Sequence, residues 1–342
     1  MTQATRNCEQ TEGRNCAVRH RSGVVRIVVA GGTGFIGRKL VRSLCERGDD
    51  VVILTRSSCN GHGSLHHEGL GARPACCRGS GKVELLPWTP DRPGDWQKLV
   101  DDADAIVNLA GAGIFDERWT RERKEVLRES RVRSTKLLAE AIARATKKPS
   151  VFVSGSATGY YGTHCGARTI TEDDSTGTDF LARLAMEWEA AAEPAREAGV
   201  RVCHPRIGIV LGTDGGMLAK LLPLFRSYMG GPVGNGVQYI AWIHAADVVR
   251  VLEHAIDHES MSGPFNAVAP EPSTMNDFAH KLGKALGRPS SVRVPALAVK
   301  LALGEGSSAV LTGQRAVPRR LVAEGFAFLF PDLTSALADL VL

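Results

Sequence analysis

The feature that most constrains this chain is the stretch Val24 to Gly37, VVRIVVAGGTGFIG, in which a short apolar run rich in β-formers opens directly onto closely spaced glycines. Gly32, Gly34 and Gly37 satisfy G-x-G-x-x-G, while Gly31, Gly34 and Gly37 satisfy the related G-x-x-G-x-x-G. Such glycines permit a tight turn off a strand, let backbone approach a pyrophosphate and allow a helix to pack closely on the strand. The context favours this reading over a bare surface turn. Val25 to Ala30 reads as a buried strand, and Lys39 to Arg47 as an amphipathic helix with Leu40, Val41, Leu44 and Cys45 apolar. Gly48 is placed to end that helix. A diphosphate is then expected over the helix N-terminus, against Gly31, Gly32, Thr33, Gly34, Phe35, Ile36 and Gly37.

The next strand bears on which dinucleotide that is. Val51 to Thr55 runs into Arg56 about 20 residues beyond Gly37, where an NAD site places a carboxylate on the ribose hydroxyls. None stands there. Asp49 and Asp50 precede the strand, whereas Arg56 and Ser57 follow it, and a guanidinium can clasp a 2′-phosphate through charge-assisted hydrogen bonds. NADP(H) is therefore expected over NAD(H); the other reading makes Arg56 a solvated loop cation.

Strands alternating with helices dominate the first two thirds, the pattern of a doubly wound parallel α/β sheet. Asp104 to Gly111 is a strand ending in Asn108 and small residues, Glu117 to Ala145 a long helical region, and Val151 to Ser154 a further strand. Arg201 to Leu211 is strand-like but interrupted by Pro205. Helical patterning recurs at Met217 to Tyr228, Ala245 to His258, Met275 to Leu286 and Ala296 to Leu303.

At 342 residues the chain can hold one large or two modest domains, and no run approaches the length of a membrane span. Its net charge of +5 is spread without a basic block, which argues against a nucleic-acid partner. The eight cysteines form no regular framework; Cys45 and Cys203 fall in core positions and suit a reducing compartment. Residues 1–23 lack the apolar core of a secretory signal and read as a disordered extension, with an organelle leader as the alternative. A soluble intracellular protein is expected, in the cytoplasm before the chloroplast stroma or mitochondrial matrix. Residues 57–82 show no hydrophobic period and carry Cys59, His62, His66, His67, Cys76 and Cys77. Their spacing matches no paired zinc pattern, so a flexible insertion without metal is expected.

The chain resembles the extended short-chain dehydrogenases/reductases, and more narrowly the epimerase family proteins of the SDR39U1-like group, also described as NAD-dependent epimerase/dehydratases of the YfcH type. The carrying motifs are GGTGFIG at 31–37, NLAGAGI at 108–114, SRVRST at 130–135, SGSATGYYG at 154–162, WEAAA at 188–192, PRIGIVLG at 205–212 and GGPVGNGVQYIAWIHAADVV at 230–249. The resemblance implies a Rossmann-type NADP-binding domain over 24–212 and a smaller C-terminal α+β substrate domain over 213–342, with 237–258 returning to the first. It further implies that Thr55 and Arg56 hold the adenosine phosphate, that Asn108, Leu109, Ala110 and Gly111 line the cofactor, and that Leu109 lies near the adenine and its ribose. Arg131 would approach the cofactor from its helix, and Val210 would lie near the nicotinamide.

The proton-handling pair of that superfamily, a tyrosine with a lysine four residues on, is missing. The four tyrosines, Tyr160, Tyr161, Tyr228 and Tyr239, are followed at that interval by His164, Cys165, Pro232 and Ile243. Where the pair would sit, only Asp179 and Arg183 have a similar spacing. The neighbouring hydroxyl position survives: Ser154 and Ser156 match it, with Ser156 preferred, and Tyr160 or Tyr161 stands as a substitute acid tuned by His164. His244 and Asp247 invite a charge-relay reading, but Asp247 is expected to cap the helix beginning at Val248, with Trp242 packing the interdomain seam. Arg206 is either substrate-facing or ion-paired scaffold. Two functions follow. One is an NADP(H)-dependent oxidoreductase or epimerase acting on a small carbonyl or sugar-like substrate through Ser156 with Tyr160 or Tyr161. The other is an inactive NADPH-binding structural or redox-sensing subunit of a larger assembly.

Overall fold

The computed structural model describes residues 24–56, 81–163 and 166–341. The glycine-rich opening forms the expected strand, turn and helix, with the helix starting at Phe35 instead of Lys39: β1 (Arg26–Ala30) leads through the turn into α1 (Phe35–Arg47), which ends at Gly48 and is followed by β2 (Asp50–Thr55). Then come β3 (Val83–Pro87), β4 (Ala105–Asn108), α2 (Arg121–Arg144), β5 (Val151–Ser154), β6 (Ser156–Ala157) and β7 (Thr169–Ile170). Helices α3 (Phe180–Ala190) and α4 (Glu193–Glu197) precede β8 (Arg201–Ile207) and β9 (Ile209–Gly212). The remainder holds α5 (Gly216–Arg226), β10 (Tyr239–Ile240), β11 (Trp242–His244), α6 (Ala245–Asp257), β12 (Gly263–Ala267) and β13 (Ser273–Thr274). It closes with α7 (Met275–Leu286), α8 (Ala296–Leu303), α9 (Ser308–Leu311), β14 (Arg315–Ala316), α10 (Arg319–Ala323) and α11 (Leu333–Val341).

The main sheet runs β12-β8-β5-β4-β1-β2-β3, with every pair parallel and β6 added beside β8. Because side chains alternate across a strand, the apolar run of β1 feeds two layers. Ile27 and Val29 pack with Leu40, Leu44 and α6 residues Val248, Val251 and Leu252 on one face. Val28 and Ala30 pack with Leu138 and Ile142 of α2 on the other. Each fully buried leucine there contributes about 1.5–3 kcal/mol relative to exposure. Strand order reverses between β1 and β4, so the turns after these two strands flank the switch point of the sheet, where open α/β folds hold ligands.

Beyond Gly212 the chain crosses between two cores. A separate cluster joins Leu222, Phe225, Trp242, Phe278 and Leu337 from α5, β11, α7 and α11. More than α6 returns to the first core: β12 forms an edge of the main sheet, α10 packs on β12, and Leu321, Phe326 and Phe328 join that core. Asp247 explains part of this return. It is fully buried and accepts the Leu329 amide at 2.8 Å and the Phe330 amide at 2.9 Å. The helix begins at Ala245 and is capped by His244, whose Nδ1 accepts from the Ala246 amide at 3.1 Å. Asp247 therefore fastens the C-terminal segment to α6 instead of capping it, a correction to the sequence reading. Trp242 is buried in the second core, its Nε1 donating to the Glu271 carbonyl at 3.1 Å. Cys45 and Cys203 are buried and outside any disulfide.

Candidate functional site

The β1–α1 turn is shaped by what cannot stand there. Gly31 has φ +80°, and a Cβ on it would lie 2.6 Å from the Leu109 carbonyl carbon of the neighbouring turn. At Gly37 a Cβ would come within 2.1 Å of the Gly31 oxygen. Helix α1 thus starts hard against its own strand. Its N-cap, Gly34, offers no side chain, and no acidic residue occupies the first turn. The first amides of α1 therefore have no side-chain cap, at the positive end of the helix dipole. Thr33 and Gly34 are exposed, with Phe35 and Ile36 half-buried behind them. The Phe35 ring packs against Gly212 and Gly215, and Arg38 and Lys39 pair with Asp214 at 2.8 and 2.9 Å, which fixes the turn after β9 to the start of α1.

At the end of β2, Thr55 is buried and Arg56 exposed; Ser57 lies outside the described residues, as do the Cys and His residues of 57–80. Asp49 and Asp50 sit at the opposite end of the strand. Asp49 pairs with Arg47 at 2.6 Å, and Asp50 accepts the Lys82 amide at 2.8 Å. Neither carboxylate reaches the edge where Arg56 stands. Among the described residues no Cys, His, Asp and Glu group could hold a metal.

The turn after β4 is organised by Asn108, which is fully buried. Its Nδ2 donates to Thr135 Oγ1 at 2.8 Å while Oδ1 accepts the Ala110 amide at 3.1 Å; Trp188 Nε1 donates to the same Thr135 oxygen at 2.9 Å. Leu109 donates its amide to the Ala30 carbonyl at 2.8 Å, so the two turns are joined through backbone. Arg131 lies beneath this loop. Its guanidinium packs against Gly111, donates to the Ala112 carbonyl at 2.9 Å and to the Leu127 carbonyl at 3.1 Å, and stands 5.3 Å from the Trp188 ring centre. Burial, with Arg123 adding to it, pushes its pKa down to about 10. Arg131 acts on the loop backbone and supplies positive charge behind it.

A second, side-chain-built group lies on the same carboxyl edge. Ser154 is fully buried at the end of β5, and its Oγ has no hydrogen-bond partner among the described residues. Ser156 Oγ donates to Glu189 Oε1 at 2.6 Å. Arg206 grips the same carboxylate with both arms, Nε to Oε1 at 2.9 Å and Nη2 to Oε2 at 3.0 Å. Its remaining arm donates to Tyr161 Oη at 3.0 Å, and Tyr161 donates to Asn266 Oδ1 at 2.7 Å. The guanidinium plane lies 3.4 Å from the Tyr160 ring centre. Burial by itself would lower the Arg206 pKa, but the hydrogen bonds and charge of Glu189 outweigh it and the net shift is upward. Burial pushes Tyr161 up to about 12, against the pull of Arg206.

This geometry divides the sequence candidates. Ser156 is brought into the network, and Tyr160 covers it with no described residue bonded to its hydroxyl. Tyr161 is enclosed, its proton given to Asn266 and its oxygen met by Arg206. His164 lies outside the described residues. Arg206 takes the ion-paired role. Asp179 N-caps α3 through the Ala182 amide at 2.9 Å and Arg183 donates to the Thr178 carbonyl, so neither replaces the missing pair. Val210 is buried in β9, opposite Ile243 of β11. His244 is buried against Phe330 with Asp339 at 3.3 Å, in a lined cavity of about 400 Å³ between α1, α6 and α11. Sequence reasoning gave Glu189 no role. The signal available was a carboxylate in the mostly apolar helix 180–190, whose partner on β8 only the fold reveals.

Residues 27–267 match the NAD dependent epimerase/dehydratase family, and residues 294–340 match a domain of unknown function, DUF1731. The chain is 37% identical over 313 residues to the epimerase family protein ML0860 of Mycobacterium leprae, covering 91% of this chain and 94% of the relative. It is also 37% identical over 320 residues to the epimerase family protein SDR39U1 homolog, chloroplastic, of Arabidopsis thaliana, covering 91% and 85%. The crystal structure of human epimerase family protein SDR39U1 (isoform 2) with NADPH superposes with a TM-score of 0.79 at 32% identity, covering 93% of this chain and 99% of that one. The chain belongs to the NAD dependent epimerase/dehydratase family, in the SDR39U1-like branch of the extended short-chain dehydrogenases/reductases.

Proposed function

We propose that this protein binds NADP(H) across the switch point of its sheet and transfers hydride to or from a small carbonyl or sugar-like substrate. The observation that carries the reading is the bare N-terminus of α1 beside Gly31 and Gly37, with Arg56 exposed at the end of β2. Residues 31–37 would hold the diphosphate, Thr55 and Arg56 the adenosine phosphate, and Asn108 to Gly111 the adenosine side, with Arg131 supporting that loop. The orphan hydroxyl of Ser154 fits a polar cofactor group, because a buried donor without a partner costs about 1–3 kcal/mol. The related human protein was solved with NADPH, which supports the choice of the phosphorylated cofactor. When bound, the dinucleotide supplies a hydride acceptor or donor. Ser156 orients the substrate oxygen, and Tyr160 exchanges its proton. Arg206 and Glu189 hold both in position, while Tyr161 and Asn266 brace Arg206.

A second reading, an NADPH-holding subunit without turnover, is favoured by one observation: α3 buries Ala182, Leu184, Ala185 and Trp188 and presents no tyrosine and lysine pair. Calorimetric titration separates the levels. NADPH should bind more tightly than NADH, and Arg56→Ala should erase that difference; equal affinities in the native chain reject the cofactor assignment. Stopped-flow oxidation of bound NADPH by aldehydes, ketones and nucleotide sugars then decides between turnover and storage. Full turnover in Ser156→Ala and Tyr160→Phe rejects the residue roles.

A further inference from the structure

Helix α8, ALAVKLAL, is apolar on nearly every side, yet only one side of it packs against the molecule. Val299 enters the second core, whereas Leu297 and Leu301, one turn apart, are each 68% exposed, with Ala298 and Ala302 exposed beside them. A helix apolar all round is normally covered all round. The segment that leads into α8 extends the exposed strip. The Val292 amide donates to the Gly230 carbonyl at 3.2 Å and the Val294 amide to the Pro232 carbonyl at 3.0 Å, which places exposed Val292 next to the loop carrying exposed Tyr228 and Met229. Tyr228 is the only non-glycine among the described residues with a left-handed backbone, φ +63°, and the Arg288 guanidinium lies 4.7 Å from its ring centre.

The charge around this strip has one sign. Residues 215–246 and 278–304 together hold seven Lys and Arg and no Asp or Glu, which exceeds the whole net charge of +5 and leaves the rest of the chain net acidic. The sequence keeps these cations apart, and the fold gathers them. Lys281 pairs with Glu271 at 3.3 Å, but Arg226, Arg288, Arg293 and Lys300 have no ion pair with a described carboxylate. From this we infer that the outer side of α8, together with Val292, Tyr228 and Met229, docks on a lipid bilayer whose headgroups are anionic. Leucine and methionine enter the acyl boundary, tyrosine sits at headgroup level, and arginine and lysine reach the phosphates. A protein partner fits less well, because lysine is depleted at the centre of protein interfaces and Lys300 borders both exposed leucines. No described helix is long and apolar enough to cross a membrane, so the contact is peripheral. It is independent of the cofactor assignment.

The test sediments the full chain with vesicles of phosphatidylcholine alone and of phosphatidylcholine and phosphatidylglycerol in equal parts. The chain should partition onto the anionic vesicles about tenfold more strongly or better, and added salt should weaken it. Leu297→Ser combined with Leu301→Ser should lower partitioning about a hundredfold, and Arg293→Gln combined with Lys300→Gln about twentyfold. All four positions are exposed, and an unchanged melting temperature verifies that each variant is folded. Leu297→Trp reads the contact itself. Its added fluorescence should shift to the blue on anionic vesicles and be quenched by brominated acyl chains, which adsorption through another part of the surface would not produce. Equal partitioning onto both vesicles, none onto either, or an unaffected double leucine variant overturns the inference. So does a lipid-free dimer by light scattering that the double leucine variant dissociates, which would make the strip an interface between copies of this chain.

Discussion

Between Ala30 and Gly37 the carboxyl edge of the sheet is shaped by absent side chains; around Arg206 the same edge is shaped by side chains meeting across long stretches of sequence. The first region presents backbone amides and contains no titratable group from Gly31 to Gly37. In the second, Ser156, Glu189, Arg206, Tyr161 and Asn266 form a chain of hydrogen bonds in which both hydroxyl protons have an assigned place. A backbone site tolerates changes of pH and fails by steric intrusion. A network of buried side chains fails when one partner is removed, because the others stay desolvated and unpaired.

The largest expected effect comes from forcing a side chain into the first region. Gly37→Ala places its Cβ against the Gly31 oxygen, which must displace α1 from its strand. NADPH affinity should fall roughly a thousandfold or more, about 4 kcal/mol. Unchanged binding by calorimetry would break the assignment of the turn. Next comes Glu189→Ala, which leaves the nearly enclosed Arg206 without its carboxylate. Denaturant unfolding should show a loss of about 3–5 kcal/mol, and replacing both partners with apolar residues should recover much of it. A loss no greater than that of an exposed ion pair would mean the network is not structural.

The pH dependence sharpens the contrast. Burial pushes His204 of β8 down to about 4, against the pull of Glu189 and with the help of Arg196. Its folded value lies below the unfolded one of about 6.5, so the unfolded chain takes up the proton first as pH falls. The stabilisation is present above about pH 6.5 and is lost progressively down to about pH 4, by up to roughly 3 kcal/mol. His204→Asn should flatten that part of the stability profile; an unaltered slope would assign it elsewhere. The smallest effect belongs to Arg56→Ala, where losing charge-assisted bonds should weaken NADPH about tenfold to a hundredfold, leave NADH unchanged and alter stability little.

The two regions were unequally legible. The turn from Gly31 to Gly37, the helix ending at Gly48 and Arg56 following β2 are local patterns, and each was read directly from neighbouring residues. Asp247 was misread because an acid near a helix start has two common uses; which one applies depends on Leu329 and Phe330, some eighty positions away. For Tyr161 the sequence shows a tyrosine beside a serine motif and not the Arg206 and Asn266 that enclose it. Glu189 went unassigned for the same reason.

By itself the sequence determined the alternating strands and helices, the glycine turn with its uncapped helix, the basic residue after β2 and the lack of a tyrosine and lysine pair. All of these follow from residue type and short spacing, where chain geometry leaves few choices. Only the tertiary structure decided which hydroxyl is enclosed, which way the Ser156 hydrogen points and how far the C-terminal segment returns to the first core. Those outcomes depend on side chains separated by 17 to 105 residues, brought within hydrogen-bond distance only by the packing of helices on the sheet.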